Sequence, residues 1–160
     1  MLHTSLLDVH VKSHAESTIM RRLALYGSAI IIAHASTVVW HLLVLARIPL
    51  GLTMPQVARA IAAINAVPVI ALILLWTPFR RLAGMLLFLA LGAGLVVGAY
   101  EHFVGPGNIF RMAAGPWTVP FRVSAVLLFI VEALGCWVGI DLLRGARGSQ
   151  AESRPRSPFR

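Results

Sequence analysis

Four stretches almost free of charge, residues 23–46, 60–79, 82–100 and 123–140, are separated by short breaks marked by Arg, Gly or Pro. Glu132 is the one interruption inside them. At about 1.5 Å of rise per helical residue, such stretches match a hydrocarbon layer about 30 Å thick. This rhythm predicts an all-α integral membrane protein, a four-transmembrane-helix bundle with spans at about 23–46, 56–79, 82–103 and 119–143.

Composition agrees with that reading. Apolar residues make up 58% of the chain and charged residues 12%, against about a quarter charged in soluble domains, and the mean hydropathy is +0.81. Four spans and their connections use nearly all of the 160 residues, so no soluble domain is expected. The chain divides into a polar N-terminal arm over 1–20, the helical domain over 21–143 and a basic tail over 144–160.

The net charge of +8 gains meaning from its distribution. With the N-terminus in the cytoplasm, Lys12, Arg21, Arg22, Arg80, Arg81, Arg144, Arg147, Arg154, Arg156 and Arg160 fall inside, and only Arg47, Arg59, Arg111 and Arg122 fall outside. That bias predicts both termini on the cytoplasmic side of what is expected to be a bacterial cytoplasmic membrane. No basic motif interleaved with aromatics is present, so nucleic acid is not an expected partner. The tail, with five Arg, two Pro and three Ser, is expected to be disordered and to lie on anionic lipids, each well-placed basic residue contributing about 1 kcal/mol.

Local signals set the remaining boundaries. His3, His10 and His14 have a spacing that fits no closed metal site, so the arm reads as solvated or interfacial. Arg21 and Arg22 followed by Ala33-His34-Ala35 imitate a cleavable signal, but the apolar run continues past Ala35 to Ala46, which favours an uncleaved anchor. Thr53 and Pro55 mark a helix start, and Pro68 is expected to kink the second span. The longest loop, GPGNIFRMAAGPWTVP from Gly105, is rich in turn formers, with Trp117 suited to an interfacial belt. The single cysteine, Cys136, excludes an intramolecular disulfide and reads as a small buried hydrophobe.

Polar residues inside apolar spans point toward function, because they are costly in hydrocarbon. His34 and His41 are seven residues apart and return to one helix face. Glu132, Gly135, Cys136 and Gly139 follow the i, i+3, i+4, i+7 pattern, so the carboxyl shares an interior face with small residues. Gly94 and Gly98 form a G-x-x-x-G step that His102 continues. Counted by helical rise, His34, Asn65 and Glu132 share a depth of about 15 to 20 Å, whereas His41, Glu101, His102 and Arg122 lie nearer the outer boundary. Two groups are therefore expected: a deep one of His34, Asn65, Glu132 and Cys136 that handles protons, and an outer one of His41, Glu101, His102 and Arg122. For Glu101 and Arg122 an interfacial salt bridge is the plainer reading.

Histidines on an apolar helical scaffold suit several chemistries. Haem b takes two imidazoles from different helices, which His34 or His41 with His102 would supply, His41 and His102 being the leading pair. A copper, iron or zinc ion would take His41, Glu101 and His102. A proton relay needs only His34, Glu132 and a water. No H-E-x-x-H, C-x-x-C-H, P-loop or G-x-S-x-G signature is present, so an autonomous enzyme of those classes is not expected. The leading expectation is a small redox-linked or proton-handling protein holding haem or a metal ion. The alternatives are a non-catalytic subunit or assembly factor of a larger complex, and a small-solute or proton transporter, which at four spans would need to form a homo-oligomer.

Overall fold

The computed structural model describes the backbone of residues 3–48, 53–105 and 115–152, and side chains over 17–48, 53–105 and 115–145. The described residues are helical with no strand, and four helices are long and apolar enough to cross a membrane. They are α1 (His3–Leu45), α2 (Met54–Leu75), α3 (Arg80–Ala99), which runs on into one π-helical turn (Tyr100–Val104), and α4 (Thr118–Glu152).

Helix ends follow from local chemistry. Thr53 is extended (φ −88°, ψ 152°), and both its backbone N–H and its hydroxyl donate to Gln56 Oε1, at 2.8 and 2.9 Å. One donor left over by the first helical turn is thereby satisfied, and Pro55 fits where no N–H is needed. α2 continues through Pro68, which is buried, and ends at Leu75 rather than at 79. Pro78 disfavours helical geometry at the residue before it, and Thr77 closes the turn by donating to the Leu74 carbonyl at 2.9 Å. At the two termini the helices outrun the sequence-drawn domain. The polar arm joins α1 from His3, although the side chains of His3, His10 and His14 lie outside the described ones, and α4 continues past Arg144 to Glu152. The expectations for 153–160 and for the loop over 106–114 concern residues outside those described.

Neighbouring helices run antiparallel around a square: α1 packs on α2 and α4, and α3 on α2 and α4. One end of the square carries the α1–α2 and α3–α4 connections (the loop end), and the other carries both termini and the α2–α3 turn (the terminal end). The α3–α4 seam is closest near the terminal end, where a methyl group on Gly139 would come within 2.9 Å of the Gly84 carbonyl oxygen. Two glycines facing each other let two backbones meet, the packing that lipid-exposed helices use in place of a hydrophobic drive.

The apolar core is split. Ala24, Ile31, Ala71, Leu75, Ala83, Leu87, Leu91 and Leu142 form one cluster toward the terminal end, and Val44, Leu45, Ile48 and Phe121 form a second at the loop end. Between them lie buried His34, His41 and Glu132. The outward faces are strongly apolar, with Ile32, Ile73, Phe79, Val96 and Trp137 among many exposed large side chains. Amphipathic aromatics stand near both ends: Trp76 Nε1 donates to Ser28 Oγ at 3.1 Å, and the Arg47 guanidinium lies 5.8 Å from the Trp117 ring centroid.

Candidate functional site

His41 on α1 and His102 on the π turn meet across the diagonal of the square, with their Nε2 atoms 3.2 Å apart. Helix geometry brings this about. The Gly105 N–H bonds to the Tyr100 carbonyl at 2.7 Å, five residues back, so the turn is wider than an α-turn. Within it Glu101 faces outward while His102 is buried. Phe121 on α4 lies under both imidazoles, 5.2 Å from the His41 centroid and 5.4 Å from that of His102. Phe129 stands edge-on to His102 at 6.2 Å.

The hydrogen bonds around the pair give it a direction. Ser124, fully buried on α4, donates its hydroxyl to the Phe121 carbonyl at 2.8 Å. With its single proton committed, Ser124 Oγ must accept from His41 Nδ1, 2.9 Å away. Neutral His41 then carries its proton on Nδ1 and presents a lone pair at Nε2. His102 therefore donates from Nε2, and its Nδ1 is left as a buried acceptor with no hydrogen-bond partner among the described residues. The chain runs from His102 through His41 and Ser124 to a backbone carbonyl, and among the described residues its His102 end has no partner.

The sequence-predicted outer group is assembled in part. His41 and His102 meet; Glu101 is exposed at the rim of the adjoining cavity, and Arg122 is exposed on α4. Among the described residues, no three His, Cys, Asp or Glu side chains are grouped so as to hold a metal ion. The deep group is more dispersed. His34 is 1% exposed, and neither ring nitrogen has a hydrogen-bond partner among the described residues, so it is not bonded to Glu132. Asn65 turns back on its own helix, donating from Nδ2 to the Ile61 carbonyl at 2.8 Å, with Oδ1 buried and unpartnered. Cys136 Sγ lies 3.8 Å from the Phe88 carbonyl.

Beside the histidine pair is a partly open cavity of about 510 Å³. His41, Glu101 and His102 line one end, Glu132 sits in the wall, and the rest is apolar or small, with Ala63, Ala90 and Ala93 among the lining residues. Glu132 is 3% exposed, and its carboxyl rests over Gly94, where a methyl group would come within 2.5 Å of Oε1. The glycine stripe of α3 therefore makes room for the acid.

Sequence reasoning missed Ser124 and the two phenylalanines. A signal for Ser124 was present: it is a hydroxyl within an apolar span, two helical turns before Glu132 and on the same face. For Phe121 and Phe129 there was none, since apolar residues in an apolar helix do not stand out. No known protein family, curated protein or solved structure matches the chain.

Proposed function

We propose that this is an integral membrane protein of the redox-linked, proton-handling kind, with both termini cytoplasmic and the Ser124–His41–His102 chain as its working centre. The observation that carries the reading is the continuous set of hydrogen bonds of 2.8, 2.9 and 3.2 Å joining two histidines that are 61 residues apart. Imidazole is the side chain suited to moving protons near neutrality. A proton arriving at His102 Nδ1 lets His102 pass its Nε2 proton to His41 Nε2, so the charge is shared by the pair. Ser124 and the Phe121 carbonyl orient His41 and lead no further. The centre is thus a proton store that loads and unloads at one end. The test is ¹⁵N NMR of histidine-labelled protein in detergent. One Nδ1–H and one Nε2–H tautomer, coupled through an N–H···N bond, are expected, with the Nδ1–H ring and the coupling lost in His41→Ala. Two uncoupled rings would overturn the assignment.

A metal ion is the second reading, and one distance favours it. Two nitrogens each about 2.05 Å from a tetrahedral ion stand about 3.3 Å apart, close to the 3.2 Å between the two Nε2 atoms. Glu101, which lines the same cavity, is a candidate for a third position once its side chain turns inward. Haem b suits the pair less well, because Phe121 packs against both rings where a porphyrin inserted between them would spread. Elemental analysis and a reduced-minus-oxidised spectrum of the purified protein separate these cases. Stoichiometric metal lost in His41→Ala and His102→Ala supports the ion, and a Soret band supports haem. Neither signal, in extracts and native membranes alike, leaves the proton reading in place.

A further inference from the structure

We infer that the cavity beside the histidine pair is a binding site for a lipophilic cation, a positively charged nitrogen or phosphorus centre carried on an apolar body, with Glu132 as its counter-ion. The inference goes beyond the proton store and rests on the charge of the cavity, not on the histidine chain.

Size and lining come first. A cavity of about 510 Å³ lies within the range of about 300–1,000 Å³ that holds drug-sized molecules. Its walls are mostly aliphatic, so the guest is mostly apolar. Charge then selects the sign. The chain has 14 Lys and Arg against 6 Asp and Glu, yet among the described residues Glu101 and Glu132 line the cavity and no Lys or Arg does. An arrangement so opposed to the chain's overall charge excludes anions from this space and attracts cations.

The buried state of Glu132 is the independent observation. Its residue is 3% exposed, it lines the cavity, and among the described residues it has no hydrogen-bond or ion-pair partner. The arginine on its own helix nearest in sequence, Arg122, is exposed, and His34 makes no hydrogen bond. A carboxylate in an apolar setting is costly until a cation sits beside it. A guest that brings a positive charge to the cavity supplies that partner, and its apolar body gains the remaining contacts. Glu101, at the rim, faces the same guest from the loop end.

The test uses the full chain in a mild non-ionic detergent and equilibrium dialysis with tetraphenylphosphonium. Tetraphenylborate, of the same shape and opposite charge, is the control. Saturable binding of one phosphonium per cavity is expected, with no displacement by the borate. A protein of net charge +8 that bound these ions through nonspecific attraction would prefer the borate, so that preference would overturn the proposal. In Glu132→Gln the affinity for the cation is expected to fall at least about thirtyfold, while Glu132→Asp retains most of it. Ala93→Leu, which adds bulk to the cavity lining and leaves the carboxyl in the sequence, is expected to abolish binding. Unchanged phosphonium affinity in folded Glu132→Gln would sink the role of Glu132. If that variant does not fold, Ala93→Leu and the phosphonium–borate comparison on the wild type decide. The two readings fail separately: histidine rings uncoupled in the ¹⁵N spectrum of a protein that still binds phosphonium would overturn the proton store alone, and coupled rings in a protein that does not bind it would overturn the cation site alone.

Discussion

Replacing the two histidines singly and together, His41→Leu, His102→Leu and the double variant, tests whether the imidazoles share one bond. In His41→Leu the buried His102 Nε2–H loses its acceptor, and an orphaned buried donor costs about 1–3 kcal/mol. Ser124 keeps its bond to the Phe121 carbonyl at 2.8 Å but no longer accepts from His41, a further loss of about 0.5–1.5 kcal/mol. His102→Leu strands only the His41 Nε2 lone pair, because His41 Nδ1 still donates to Ser124 at 2.9 Å. The His41 variant is therefore expected to be the less stable of the two. In the double variant neither orphan exists, so its destabilisation is expected to fall short of the sum of the singles by about 1–3 kcal/mol. The measurement is equilibrium unfolding in mixed micelles titrated with SDS, followed by circular dichroism. Additivity within about 0.5 kcal/mol would mean that the rings are neighbours without a bond, and the proton store would go with it.

Three further outcomes are expected. Gly139→Ala, whose methyl meets the Gly84 backbone at 2.9 Å, is expected to destabilise the bundle by about 1–3 kcal/mol. Gly94→Ala meets only the far end of the Glu132 side chain, which can swing into the cavity, so its cost is expected to stay below about 1 kcal/mol; the same SDS titration ranks them, and the reverse order would contradict the α3–α4 packing. Phe121→Ala removes a fully buried ring from beneath both imidazoles and is expected to cost about 3–5 kcal/mol, read as a lower transition midpoint. In a Cys136→Ser background, Trp117→Cys is expected to react with a membrane-impermeant maleimide from the extracytoplasmic side and Arg144→Cys only after permeabilisation; the opposite pattern would invert the topology.

The four helices were legible because hydrophobic length is a one-dimensional signal that needs no partner. Their ends were less so. The apolar run through Trp76 and Phe79 hides the stop that Pro78 and the Thr77 hydroxyl impose after Leu75. Helical periodicity placed Glu132 on the face of Gly135 and Gly139, and all three are buried. Depth counting put both His41 and His102 in the outer part of the bundle, but that they meet depends on the order of helices around the square, which periodicity within a helix does not encode. The same limit explains His34 and Glu132. A shared depth does not bring them together when their side chains project into different spaces, His34 into sealed packing and Glu132 into the cavity. The π turn was invisible for another reason: it comes from one extra residue in the winding of Tyr100–Val104, and no residue type there demands it.

The position of the cavity can itself be argued from the size of facing residues along the α3–α4 seam. Moving from the terminal end toward the loop end, Gly84 meets Gly139, then Leu91 fills the space over Gly135. In both steps a small residue faces whatever the other helix offers, and the backbones stay close. At the next step Gly94 receives a carboxyl rather than an aliphatic group, and at the following one Gly98 receives the Phe129 ring. Beyond that, the seam is occupied by His102 and Phe121, 5.4 Å between centroids, while α2 lines the space with Ala63, Ile64 and Val67 and carries no polar group into it. The bundle therefore closes tightly where glycine opposes glycine or leucine and loosens where glycine opposes the two side chains that line or support the site. An apolar substitution at Glu132 would extend the leucine–glycine packing by one step and shrink the cavity. Glu132 is thus the residue that keeps the opening present.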